Sequence, residues 1–237
     1  MTPTLDPFGE DQDELDAVVI KDNGEPLVDF LGLSPKLIAA VEHPVYDFPR
    51  THIVRKSVAN MLAQAADALP DGLFLSVFEG YRPIQVQRAM FNSSLQVVSD
   101  QHPHLTPVER ELEAGRRSAP PDAITPPPHI TGGAVDVEIA DANGKILDFW
   151  SPYERSDWRQ ASPNAKGLSE EAMKNRALLK SILEPTGLTN YVDEWWHWSY
   201  GDNGWALRVN APHALYNRVE LPEDIDWVGD PTKLPNL

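Results

Sequence analysis

The sequence predicts a single α+β domain with a central antiparallel sheet and helices packed around it. Two observations carry this. Apolar residues recur at helical spacing in two separate stretches, and three other stretches have the short, β-prone, turn-bounded form of strands.

The first 16 residues, "MTPTLDPFGEDQDELD", are acidic and offer few apolar anchors, so they are expected to be a mobile tail preceding a domain over 17–237. In "THIVRKSVANMLAQAADALP", Val54, Val58, Met61, Leu62, Ala65 and Leu69 fall on one helical face, with Thr51 as N-cap and Pro70 as the stop. "GLFLSVFEGYRP" reads as a buried strand over Leu73–Phe78 that delivers Glu79, Tyr81 and Arg82 to its rim. Pro83 suits the first turn of a helix over residues 84–100, followed by a short charged helix at most and a proline-rich connection to 128. "AVDVEIADANGKILDF" has the form of a hairpin with "ANG" as its turn. A helix is expected from Ser169 to Leu183, closed by Pro185 and Gly187. "YVDEWWHWSYGD" alternates Trp196, Trp198 and Tyr200 with His197 and Ser199, as a strand with a bend at its start does.

Composition narrows the function. With 20 basic and 36 acidic side chains the net charge is −16, which repels nucleic acids and anionic membrane surfaces. The acidic start lacks the pattern of a secretory leader and no later stretch is long and apolar enough to span a bilayer, so a cytoplasmic location is expected. The absence of cysteine excludes disulfides, thiolate zinc sites and a cysteine nucleophile, leaving His, Asp and Glu for any metal site.

Of seven histidines, His43, His52, His102, His104 and His213 sit where packing or solvation explains them. His129 and His197 differ, because Asp136 follows the first by seven residues and Glu194 precedes the second by three. His129, Asp136 and His197 form a three-ligand set that leaves a fourth zinc position to water. Seven is an odd step, which on an unbroken strand would point the two side chains to opposite faces. Gly132-Gly133 supplies the backbone freedom to bring them together. Glu194 is then better cast as the general base than as a ligand, and Arg82 as a fixed cation for a developing oxyanion. Each has a plainer explanation. The tryptophans of "EWWH" can be core packing around a satisfied His197, and Arg82 can be a structural partner of Glu79.

Taken together, "EGYRP", "HITGGAVD" and "EWWH" resemble, in this order, motifs of the zinc D-alanyl-D-alanine dipeptidases of the VanX type, over roughly residues 70–205. The resemblance implies one zinc per chain on His129, Asp136 and His197, Glu194 as base, Arg82 as transition-state cation, and a free dipeptide, D-Ala-D-Ala, as substrate. It also implies that Glu154 of "DFWSPYE" stands where the family has an aspartate that binds the substrate ammonium. Pro127 replaces the family's serine two places before the first ligand, and the family's Y-A-T-x-x-N-F stretch has no clear counterpart, so another small dipeptide is an alternative. The rival readings are a D,D- or L,D-carboxypeptidase acting on a longer peptide, and a non-catalytic zinc-binding module of the same fold.

Overall fold

The computed structural model describes residues 9–40, 50–154, 160–220 and the backbone of 227–228. In chain order it contains α1 (Gln12–Ala17), β1 (Leu27–Asp29), β2 (Leu37–Ala39), β3 (Arg50–Thr51), β4 (Ile53–Arg55), α2 (Lys56–Asp67), β5 (Leu73–Glu79), α3 (Ile84–Gln101), α4 (Pro107–Gly115), β6 (Ala134–Asp141), α5 (Glu170–Leu183), β7 (Thr189–Asn190), β8 (His197–Ser199), α6 (Asn203–Arg208) and β9 (Trp227–Val228).

The α+β class holds, but the central sheet is mixed. Its five strands run in the order β2-β5-β6-β8-β7, with β2 parallel to β5 and the remaining pairs antiparallel. The parallel pair is possible because the chain crosses over through α2 before re-entering the sheet, as parallel pairing demands. Two short ribbons, β1 with β4 and β3 with β9, lie outside this sheet.

Period-two alternation divides β6 between two environments. Val135, Val137 and Ile139 enter the core with Leu75 and Val77 of β5, Val58 and Leu62 of α2, and Leu179 and Leu183 of α5. Each such side chain contributes about 1.5–3 kcal/mol through removal from water. Asp136 and Glu138, the intervening residues, point to the opposite face.

Helix α2 starts later than the expected Thr51. Residues 50–55 are drawn into strand pairing instead, and the Thr51 hydroxyl donates to the carbonyl of Tyr81 at 2.8 Å rather than capping a helix. The expected hairpin also stops short, at a single bridge between Ala140 and Ile146. Asp148 accepts from the backbone N–H groups of Trp150 and Ser151, at 2.9 Å each, and turns the chain away from the sheet. Arg176 of α5 then holds the diverted segment by donating to the carbonyls of Phe149, Gln160 and Ser162 at 2.9, 2.8 and 2.9 Å.

The N-terminal segment was expected to be mobile as far as residue 16. Residues 1–8 lie outside the described part, but from Gly9 onward the segment is tied down: α1 lies beside α6, where Asn203 donates to the carbonyl of Leu15 at 3.0 Å. Asp16 accepts the Thr125 hydroxyl at 2.6 Å, a contact that holds its pKa below the usual aspartate value. Among the described residues, no helix is long and apolar enough to cross a membrane.

Candidate metal centre

Three elements bring His129, Asp136 and His197 to one point. His129 lies in a 3-10 turn over Pro128–Thr131, which ends at Gly132 in the left-handed region at φ +72°. A side chain at Gly132 would be strained in that conformation, and its Cβ would also strike the side chain of Leu27. The turn reverses His129 toward the sheet face that carries Asp136. On β8, His197 stands directly opposite Asp136 in the antiparallel register, so the two share that face.

The result is a compact buried triangle, with 4%, 2% and 7% of His129, Asp136 and His197 exposed. His129 Nε2 lies 3.2 Å from His197 Nδ1 and 3.4 Å from Asp136 Oδ1, and His197 Nδ1 lies 2.9 Å from Asp136 Oδ1. Donors about 2.1 Å from a tetrahedral zinc stand about 3.4 Å apart, so these separations and this donor chemistry fit the ion. The other His129 nitrogen, Nδ1, is 2.8 Å from the carbonyl of Gly80. A carbonyl can only accept, so in the neutral ring the proton sits on Nδ1 and Nε2 faces the centre with its lone pair. Among the described residues this is the one cluster of three or more such side chains that can hold a metal.

Electrostatics agrees with a cation site. Burial alone would raise the pKa of Asp136, but His129 and His197 outweigh it and hold the carboxyl far below the usual range. Burial would lower the pKa of His129, yet the carboxylates of Asp136 and Glu79 bring the net shift upward.

Glu194 lies in the turn before β8. Its pKa is pushed up to about 7, chiefly by burial, with Asp136 and Asp193 acting in the same sense and His197 and Arg82 opposing. A carboxyl poised there can both take and return a proton near neutral pH. Asn190 steadies the turn by donating from its amide to the carbonyls of Glu194 and His197 at 2.8 and 2.9 Å. Nothing in the spacing of Asn190 marked it in advance.

Arg82 is buried and held in a plane by Glu79, which accepts from Nε at 2.6 Å and from Nη2 at 2.5 Å, and by Gln87, which accepts from Nη1 at 2.7 Å. The salt bridge to Glu79 is therefore real. It coexists with a place beside the centre, because the charge of Arg82 is felt at both His129 and Glu194. The partner Glu79 reaches this face through a β-bulge: Val77 pairs with Val137, but Glu79 rather than Phe78 pairs with Asp136.

The tryptophans of "EWWH" do form core, as one reading of the motif expected. Trp195 stacks on Phe149 with centroids 4.3 Å apart, and Trp196 and Trp198 join the same cluster while the alternate residue His197 faces the centre. Glu154 is not brought to the triangle by any described contact. It is exposed, and the neighbouring residues 155–159 lie outside the described part. Of the five other histidines, His43 also lies outside it, and His52 packs on Phe30 with ring centroids 5.9 Å apart. His102 and His104 meet edge to face with centroids 6.0 Å apart, and none of the four described residues joins the cluster.

An α+β fold whose mixed sheet carries a His/Asp/His group, with a glutamate of raised pKa and a buried arginine nearby, has the make-up of a metal-dependent hydrolase. The D-ala-D-ala dipeptidase family matches the chain over residues 42–218, and the chain belongs to that family; it is a metallopeptidase. It is 32% identical over 238 residues to a D-alanyl-D-alanine dipeptidase of Synechocystis sp., covering 86% of this chain and 96% of that one. A D-alanyl-D-alanine dipeptidase of Escherichia coli K12 is 23% identical over 155 residues, covering 65% and 68%. Among solved structures, the LD-carboxypeptidase LdcB superposes with a TM-score of 0.44 at 20% identity, covering 79% of this chain and 74% of that one, a likeness too loose to refine the assignment.

The oxyanion role that the sequence suggests for Arg82 predicts that the Arg82→Ala protein, assayed well below its melting temperature, shows turnover lowered by about 100-fold with a smaller change in KM, since such a contact strengthens as charge develops. The same change strands Glu79 in a buried position, at a cost of about 3–5 kcal/mol in stability. A folded, metal-loaded variant that turns over normally would leave only the salt bridge.

Proposed function

We propose that the chain hydrolyses a free dipeptide, D-Ala-D-Ala in the first instance, using one zinc ion per chain held by His129, Asp136 and His197. The observation that carries this reading is the convergence of those three donors, none more than 3.4 Å from another, on the sheet face beside Glu194. Zinc, when bound, supplies a Lewis acid for the scissile carbonyl and acidifies water to a pKa of about 7. Glu194 takes the proton from the attacking water and delivers it to the leaving amine. Arg82, its plane set by Glu79 and Gln87, donates to the oxygen that becomes negative.

Glu154 is assigned to the free ammonium of the substrate from the place of "DFWSPYE" in the family pattern. Its exposure means that water screens it until substrate covers the carboxylate. Recognition of the charged amine would separate a dipeptidase from a D,D- or L,D-carboxypeptidase, which must admit a longer peptide on that side. A free dipeptide is a soluble metabolite, and we place the reaction in the cytoplasm; recovery of the chain from the envelope or the culture medium would reverse that placement.

The test compares D-Ala-D-Ala, N-acetyl-D-Ala-D-Ala and a D-Ala-terminated tripeptide on the zinc-loaded protein. The free dipeptide should be hydrolysed and the blocked one should be a very poor substrate. Glu154→Gln should slow hydrolysis of the free dipeptide and narrow the gap, since a neutral amide no longer favours a cation. Equal rates on free and blocked dipeptides would remove Glu154 from this role and favour a carboxypeptidase, while hydrolysis of none would overturn the dipeptide substrate.

A further inference from the structure

Glu194 sits in a turn between two very short strands, β7 and β8, where few ladder hydrogen bonds hold the backbone. From inside, the turn is held by Asn190. On its other side lies the segment that starts at Gly9. The backbone N–H of Gly9 donates to the carboxylate of Asp193, the residue immediately before Glu194. Gly9 also lies so close to Tyr191 that a Cβ there would be 2.9 Å from the phenol oxygen, and the Tyr191 ring stands edge-on to His197 at 5.7 Å.

One residue further along, Glu10 Oε1 accepts from Arg208 Nη1 at 2.6 Å, with only 9% of the Glu10 side chain and 14% of the Arg208 side chain exposed. Arg208 ties this contact to the sheet edge by donating to Thr189 Oγ1 of β7 at 2.8 Å and to Ser199 Oγ of β8 at 2.6 Å. Helix α1 then anchors the segment to α6 through Asn203 and to Thr125 through Asp16.

We infer that residues 9–17 are a positioning arm that holds the Glu194 turn against the metal centre, so that the acidic N-terminal segment takes part in catalysis without touching substrate. The inference rests on the general-base reading of Glu194. Its physical basis is that a base acts only within hydrogen-bond reach of the proton it removes, and a displacement of about 1 Å can cost on the order of 100-fold in rate.

The experiment uses the whole chain of 237 residues, loaded with zinc, with D-Ala-D-Ala as substrate. Asp193→Ala and Glu10→Ala should each lower kcat by about 5–10-fold, with KM and zinc content changed by less than about twofold, because the arm orients the base rather than the substrate or the metal. The double variant should be little worse than the weaker single one, since both changes release the same arm. Asp193→Asn should restore most of the turnover, because its amide oxygen still accepts from Gly9.

Full turnover in Asp193→Ala, effects that multiply in the double variant, or an Asp193→Asn as slow as Asp193→Ala would each overturn the arm. The last of these would assign the effect to charge instead. Glu194→Gln is assayed in parallel to separate the two layers. If it is inactive while Asp193→Ala is fully active, the arm alone is wrong; if it retains turnover, the base reading falls and the inference with it.

Discussion

His129→Ala protein is expected to purify without stoichiometric zinc and without measurable dipeptide hydrolysis. Two donors remain in the triangle, Asp136 and His197, and they already hydrogen-bond each other at 2.9 Å. A two-donor site cannot replace the water shell of zinc as a three-donor site does, and metal affinity and catalysis should fall together. The substitution also leaves the Gly80 carbonyl without the Nδ1 donor, a further cost of about 1–3 kcal/mol. Metal analysis of the purified variant reads the first effect directly. Chelating and then reloading the unmutated protein gives the matching control: activity should vanish and return, and the apo form should melt at a lower temperature, because zinc binds the folded state. A His129→Ala protein carrying one zinc per chain would remove His129 from the ligand set.

Glu194→Gln is expected to separate chemistry from metal binding. The amide is close to isosteric and is not among the three donors, so zinc content and fold should persist while kcat falls by roughly 100-fold or more. The environment that raises the Glu194 pKa to about 7 would also be relieved, because burial penalises a carboxylate more than an amide. With the metal removed from both, the variant should therefore be at least as stable as the parent. Slow turnover with normal zinc, and an unchanged or higher melting temperature of the metal-free form, distinguishes a lost base from a damaged fold. Full activity would end the general-base assignment.

Much of this centre is legible because its motifs are local. The seven-residue step from His129 to Asp136 needs a reversal, and Gly132-Gly133 announces one; the structure makes it with Gly132 at φ +72°. The alternation in "EWWHWS" puts tryptophans in the core and His197 on the opposite face. Helix α5 begins after its Ser169 cap, where the apolar period and the cap agree. Arg82 is a different case, because both readings open from spacing proved compatible: it pairs with Glu79 and lies near His129 and Glu194.

By itself, then, the sequence determined the α+β class, the main helices and strands, and the residue types gathered for metal chemistry, since periodicity, caps, glycine turns and the absence of cysteine act over a few residues or over composition. Only the tertiary structure decided how those pieces register. β2 is three residues long, too short to show a period, and its parallel place beside β5 depends on a crossover through α2. The bulge that turns Glu79 onto the face of Asp136 exists only in the pairing of β5 with β6, and the truncated hairpin follows from side chains of Asp148 and Arg176 that lie apart in the chain. The N-terminal segment has the composition of a tail, yet Glu10 meets Arg208 across 198 positions of sequence. Such contacts pay for ordering the segment only once the rest of the fold has placed the partner, and no local pattern records that.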